Sequence, residues 1–374
     1  MVRPALLLLA LALGACSDDG ASEVDRGPAA DLFPHPFDLS SPDAPAAAPD
    51  AGQTAATHAA LARHWAPTWY QDTDSSNHEG DYIVAYDFDG DTRSDNNWEN
   101  LHAAGVDLSA VVYYSVVETE THWFLLYADF HPQDWDENCQ PIPFGPDRCH
   151  ENDMEGAMVV VEKDGTEHGR FRLLYTEAHN TLHVFTNDAQ VTAFHTKSLE
   201  GAPVTFDSAA TAAPGEHPEL YVESKGHGVC SVRYSGGEHC KHPTTGNVFP
   251  GGDGVVYRYR GKAETPGSGD DRDVGYELVP LETSLWPRRQ DICDSGCTFD
   301  GTMTFEGMTL GVAFDGDSHG DDKANPPWAW DDPDDGPVYR GDFFFRPAET
   351  ALTHLKLPEP FSKTYRVNPF LKGP

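Results

Sequence analysis

The sequence predicts an all-β protein: a mostly antiparallel β-sandwich with long loops and few short helices. Short runs rich in Val, Tyr, Phe and Thr recur along the chain, among them "DYIVAYDF", "AVVYYSVV", "HWFLLYADF", "GAMVVVE", "RFRLLYTEA", "TLHVFT", "PELYVES", "GVVYRYR" and "DFFFRPA". Gly, Pro, Asn and Asp separate these runs, with 34 Gly and 29 Pro in 374 residues. Helical periodicity is weak, and "TAATHAALARHW" (54–65) is the clearest short helix. Strand after strand with turn chemistry between them points to sheets packed on sheets. "FDGD" occurs at 88–91 and again at 314–317, but the flanks differ and no repeat follows.

The N-terminus "MVRPALLLLALALGACSDDG" reads as a secretory signal over residues 1–15, too short to span a bilayer. Its end, Leu13-Gly14-Ala15-Cys16, resembles a bacterial lipobox, which implies cleavage before Cys16 and a lipid anchor on its thiol. Several acyl chains there would hold the protein to a membrane at ~0.8 kcal/mol per buried methylene. Ser17 after the cysteine favours an outer-membrane, extracytoplasmic lipoprotein. Residues 16–57 are Ala, Pro, Asp and Ser, a composition that cannot bury a core and reads as a disordered tether. Residues 58–374 remain as a single domain, with a C-terminal extension from about 261.

Seven cysteines less the lipidated Cys16 leave six, and an exported chain spends an even set on disulfides. Spacing favours Cys139 with Cys149, Cys230 with Cys240, and Cys293 with Cys297. Zinc is disfavoured at "CDSGC" because no second pair lies nearby at zinc spacing. A net charge of −36, from 61 acids against 25 bases, repels nucleic acid and anionic lipid and excludes both as partners.

The stretch "CHENDMEGAMVVVE" (149–162) crowds a histidine and three acids where a buried strand begins. On a strand, Asp153 and Glu155 leave the same face about 7 Å apart, and such carboxylates repel unless a cation or proton lies between them. His150 has the opposite parity and joins them only if the chain bends at Glu151-Asn152, a place where Asn favours a bend. A Cys139–Cys149 disulfide, with alpha carbons ~4.4–6.8 Å apart, would draw His150 towards "FHPQDWDEN". Asp134 then becomes a fourth ligand, with Asp136 and His131 as competitors. One imidazole and three carboxylates suit a divalent metal ion: calcium, magnesium or manganese before zinc.

"HENDMEG" carries His-x-x-Asp-x-Glu, the spacing inside the "GHRHDWE" signature, and so resembles the secreted necrosis-inducing cytolysins. "ADFHPQD", ending in Asp134, is similar to that family's "YxxPKD"-like segment. "RFRLLYTEAHNTLHVF" and "PELYVESKGHG" resemble its later strands, and the broader vacuolar-sorting-type family shares a related pattern. The resemblance covers about residues 60–240. It implies Asp134, His150, Asp153 and Glu155 as metal ligands; in that family the cation supports binding to glycosylated sphingolipid heads, and nothing about the target is carried over to this chain. Arg148-Cys149 replaces the first Gly-His of the signature and Met154 its tryptophan, so toxicity is not carried over.

Three further groups stand out. His179 in "YTEAHNT" and His227 in "ESKGHGV" end strands, where a neutral histidine can serve as general base beside a metal-bound water; each is equally a hydrogen-bonded histidine closing a sheet. "DFDGDTRSDNNWE" sets Asp87, Asp89, Asp91 and Asp95 near calcium-loop spacing, though glycine falls at position 4 and Trp98 at position 12. Trp328 and Trp330, in an acid-rich loop, are candidate ligand contacts, or aromatics docked on the core.

The sequence therefore reads as a lipid-anchored divalent-cation-binding protein that engages a polar head group or glycan. The alternatives are a metal-dependent phosphodiester or ester hydrolase, with His179 or His227 carrying the proton, and a non-catalytic structural lipoprotein.

Overall fold

A computed structural model describes residues 51–371 apart from 138, 140–148, 196–197, 210–212, 235–252, 320–322 and 333–339. The signal peptide, Cys16, the tether to residue 50 and Cys240 lie outside the described residues. Among the described residues no helix is long and apolar enough to cross a membrane.

Helix α1 (Ala51–His64) starts inside the segment expected to be tether and leads to β1 (Thr68–Gln71). After α2 (Asn97–Asn100) comes a run of hairpin-linked strands: β2 (Val111–Thr119), β3 (His122–Asp134), β4 (His150–Glu162), β5 (Arg170–Ala178) and β6 (Thr181–Phe185). Then follow β7 (Thr192–Ala193), β8 (Phe206–Asp207), β9 (His217–Val222), β10 (Val229–Ser231), β11 (Val255–Tyr259) and β12 (Val274–Pro280). The last part holds the hairpin β13 (Phe299–Phe305) and β14 (Met308–Phe314), helices α3 (Asp342–Phe345) and α4 (Pro347–His354), and the short β15 (Leu355–Lys356) and β16 (Tyr365–Val367).

The all-β class holds, with one large twelve-stranded sheet and the two-stranded sheets β13–β14 and β7–β15 in place of the two facing layers of a sandwich. Twelve strands join in the order β10-β9-β1-β11-β12-β2-β3-β4-β5-β6, with β8 on β9 and β16 on β2. Its pairings are antiparallel except β1–β9, β11–β12 and β12–β2. The twist of so long a sheet curls it nearly into a barrel. β10 comes to lie against β4 and β5, and Tyr234, just past β10, packs on His183 and Phe185 of β6.

The part expected to be an extension from about 261 is built into this sheet, since β12 sits between β11 and β2. Beyond it, Trp286, Trp328, Phe344, Phe345 and Phe370 form an aromatic cluster. Trp330 packs on β4, and Phe343 on Tyr175 of β5. β4 is thus covered on both faces, which is why its "AMVVV" reads as an unbroken apolar run.

Two expected strands fold otherwise. "DYIVAYDF" (81–88) buries Tyr82, Ile83 and Val84 yet is built from turns, meeting the ladder through Val84 N–H to Phe130 C=O at 2.9 Å. "DFFFRPA" forms α3 and the start of α4: Gly341, at φ 97°, turns the chain in, and Pro347 opens the second helix with its φ already set. There burial of three phenylalanines outweighs their strand preference.

Candidate cation site

The β3–β4 ladder pairs Asp129 with Glu155, His131 with Asp153, and Asp134 with His150. Strict alternation would put Asp134 and His150 on the opposite face from the other pairs. Asn152 breaks the alternation with φ 63°, the left-handed region that Asn tolerates better than other side-chain-bearing residues. Its amide is locked in place: Nδ2 donates to Ser94 C=O at 2.9 Å and Asp315 C=O at 2.8 Å, and Oδ1 accepts from Asn97 at 2.6 Å. The bend turns His150 to the side of Asp153 and Glu155 and sends Glu151 elsewhere.

Asp134, His150, Asp153 and Glu155 all line one cavity of about 130 Å³, with Glu177, His179, Asn180, Lys323, Asn325 and Trp330. That is room for an ion and a few waters. The disulfide Cys139–Cys149 has formed, with alpha carbons 5.3 Å apart, at the mouth of the β3–β4 connection. The competitors of Asp134 point elsewhere. His131 is fully buried, stacked on the ring of His227 at 3.8 Å and bonded to Asp129 at 3.2 Å, and Asp136 does not line the cavity.

His150 is held by a backbone carbonyl on one ring nitrogen. Its Nδ1 donates to Asn152 C=O at 2.9 Å, which leaves Nε2 facing Asp134 Oδ2 at 3.2 Å. Two acceptors at that distance need a proton or a cation between them. Glu155 occupies the seam of the curled sheet: one oxygen accepts from His179 N–H beyond β5 at 2.9 Å, the other from Val229 N–H of β10 at 3.1 Å.

The electrostatics express crowded anions. Burial, then the charges of Glu177 and Asp153, push the Glu155 carboxyl well above its ordinary range. Glu177 is pushed up to about 8 by burial, with Asp153 adding and His179 opposing. Burial also raises Asp134. Asp153 goes the other way, because hydrogen bonding and charge from His227, with His150 and His131, outweigh its burial. His179, though burial opposes its charge, is raised to about 9 by its hydrogen bond to Glu223.

The two strand-end histidines differ in access. His179 lines the cavity and occupies, with Asn180, the two-residue β5–β6 turn at φ 52° and 58°. His227 is fully buried between two carboxylates, Nδ1 at 3.0 Å from Asp153 and Nε2 at 3.3 Å from Asp81. Of the seven non-glycine residues with positive φ among those described, five (Asn152, His179, Asn180, Lys225 and His227) lie in segments that build this site.

Three of the acids at 87–95 have protein partners. Asp89 accepts from Asp91 N–H and Asn100, Asp91 from Arg93 N–H, and Asp95 is paired with Arg93 and Ser295. Trp328 is buried with its N–H on Gly311 C=O, whereas Trp330 floors the cavity and donates to Met154 C=O at 3.1 Å. Cys293 and Cys297 are joined, with alpha carbons 5.7 Å apart.

Among the described residues, no three ligand atoms of Asp134, His150, Asp153 and Glu155 lie within 4.8 Å of one another, and the one acidic group that does meet this spacing is one that sequence reasoning missed. Ligand atoms of Glu99, Glu151 and Asp317 lie within 4.8 Å of one another and could hold a metal ion. Burial pushes Glu151 up to about 7. It also missed Glu177 and Lys323, whose place at the cavity depends on the curl of the sheet and on the C-terminal segment.

No protein-family model matches this chain, and no curated protein matches it. Solved structures similar to it include one described as a toxin fold for microbial attack and plant defense, at 14% identity over 51% of this chain and 73% of that one, with a TM-score of 0.26. Another is necrosis and ethylene inducing protein 2 from the causal agent of cocoa's witches' broom disease, at 13% identity, 59% and 73% coverage and a TM-score of 0.25. A third, NLPPya in complex with mannosamine, gives 13% identity, 61% and 74% coverage and a TM-score of 0.26.

Proposed function

We propose that this is a lipid-anchored, extracytoplasmic protein that binds one divalent cation through Asp134, His150, Asp153 and Glu155 and uses it to engage a polar head group or glycan. The supporting observation is the His150 imidazole. Held by Asn152 C=O on one nitrogen, it aims the other at Asp134 over a cavity that Asp153 and Glu155 share. Three carboxylates and one imidazole fit calcium, magnesium or manganese. A bound cation would offset the burial, and the neighbouring Asp153 charge, that raise Glu155 and Glu177. Isothermal titration with the three ions tests the reading: saturable binding that is lost in the Asp153→Ala, Glu155→Ala double variant supports it. Wild-type-like affinity in that variant refutes it. Lipid attachment is tested by mass spectrometry of the membrane fraction, with Cys16→Ser expected to release the protein.

His179 favours a second reading, a metal-dependent phosphodiester or ester hydrolase. It lines the cavity and, raised to about 9, carries a proton that it can donate to a leaving group. Chelator-sensitive turnover of chromogenic phosphodiesters, lost in His179→Gln, would select this reading.

A further inference from the structure

We propose that Asp81 is a positioning residue for the cation site, acting through His227 on Asp153; the inference rests on the cation reading above. Asp81 is fully buried and does not line the cavity. One of its oxygens, Oδ1, accepts three hydrogen bonds: from Trp135 Nε1 at 2.9 Å, from Lys225 N–H at 2.8 Å and from His227 Nε2 at 3.3 Å. Oδ2 accepts a fourth from Asp74 N–H at 2.8 Å. That many donors on one buried carboxyl fix it in a single orientation.

The consequence passes through the ring. With Asp81 on Nε2, the other nitrogen of His227 lies 3.0 Å from Asp153 Oδ2. An imidazole between two carboxylates donates on both sides, so it cannot turn over or withdraw a donor without leaving one acceptor bare. The stacked ring of His131, at 3.8 Å and 2° between planes, blocks its rotation on one face. Asp153 is therefore held by His227 on Oδ2 and by Met154 N–H on Oδ1 at 2.9 Å. Its carboxylate is fixed before any ion arrives, the arrangement by which outer partners orient a metal ligand. Asp81 thereby ties "DYIVAYDF", the loop between β9 and β10, and Trp135 beyond β3 to a single ligand.

The test uses the full chain, manganese alone as probe, and three variants. Asp81→Asn keeps the shape and loses the charge; Trp135→Phe removes a different bond to the same oxygen. Asp81→Asn is expected to weaken manganese binding by about 10–100-fold, and metal-free crystals are expected to show the Asp153 carboxylate in a new rotamer. Trp135→Phe is expected to lower Tm while leaving affinity within about twofold of wild type, which a merely structural role for Asp81 would not distinguish. If Asp81→Asn does not fold, His227→Gln carries the same expectations and leaves the other bonds of Asp81 in place. A folded variant with an unmoved Asp153, or with unchanged affinity where wild type binds, overturns the role of Asp81 alone. Wild-type protein that takes up no ion overturns the cation reading instead, and the Asp153 rotamer still decides the positioning.

Discussion

Asp134 and His150 face each other across the β3–β4 ladder, with Nε2 of the histidine 3.2 Å from Oδ2 of the aspartate. Strand pairing sets this contact, and the hydrogen bond from Nδ1 to Asn152 C=O sets its chemistry. Asp134→Asn and His150→Gln are each expected to weaken manganese binding at least about 10-fold by calorimetry. Asp136→Asn, outside the cavity, should bind like wild type.

Asn152 should be hard to replace. Alanine at φ 63° is strained by about 1–2 kcal/mol, and it leaves Asn97 Nδ2 buried without its acceptor, at about 1–3 kcal/mol more. Glycine removes the strain and keeps the loss of bonds. Urea unfolding should therefore rank wild type above Asn152→Gly, and Asn152→Gly above Asn152→Ala.

Stability of the ion-free protein should fall as pH rises from about 6.5 to 9. Glu177 at about 8, His179 at about 9 and His227 at about 10 all have folded pKa values above their unfolded ones, so the native state holds more protons across this window. Their contribution is complete below the unfolded pKa values and lost as pH passes the folded ones. Thermal melts in chelator should show Tm dropping from pH 6.5 to 9. Calcium or manganese should offset the drop, because the ion takes the place of protons that leave.

Gly156→Ala should loosen β4. A methyl there meets the Tyr127 carbonyl of β3 and comes within 3.1 Å of the Trp330 ring. Overpacking of this kind costs about 1–3 kcal/mol and displaces the indole that floors the cavity. A lower denaturation midpoint, with weaker manganese binding, is the expected result.

Much of the cavity's lining was legible in the residues because it depends on local rules. Spacing put Asp153 and Glu155 on one face, Asn152 marked the bend that brings His150 round, and Cys139 with Cys149 brought Asp134 near. Curvature was not legible. Whether strands make two layers or one curled sheet depends on accumulated twist and on which distant edges meet, and no single run encodes it. Glu177, Lys323 and Asp81 reach the site through such long-range contacts. Asp81 is also hidden by its own neighbours, since "DYIVAYDF" has a strand's composition and a turn's hydrogen bonds. Glu151 was visible as the first acid of its cluster, but its partner Asp317 lies 166 residues away and joins it only after folding.

The carboxylate of Glu155 clasps backbone from two margins of the sheet, at His179 and at Val229, while facing the chamber between them. An occupant that draws on those oxygens changes the strength of the clasp. Loading would then be felt as tightening or slackening along a whole edge, and slow deuterium uptake at those two amides would register it far from any bound guest.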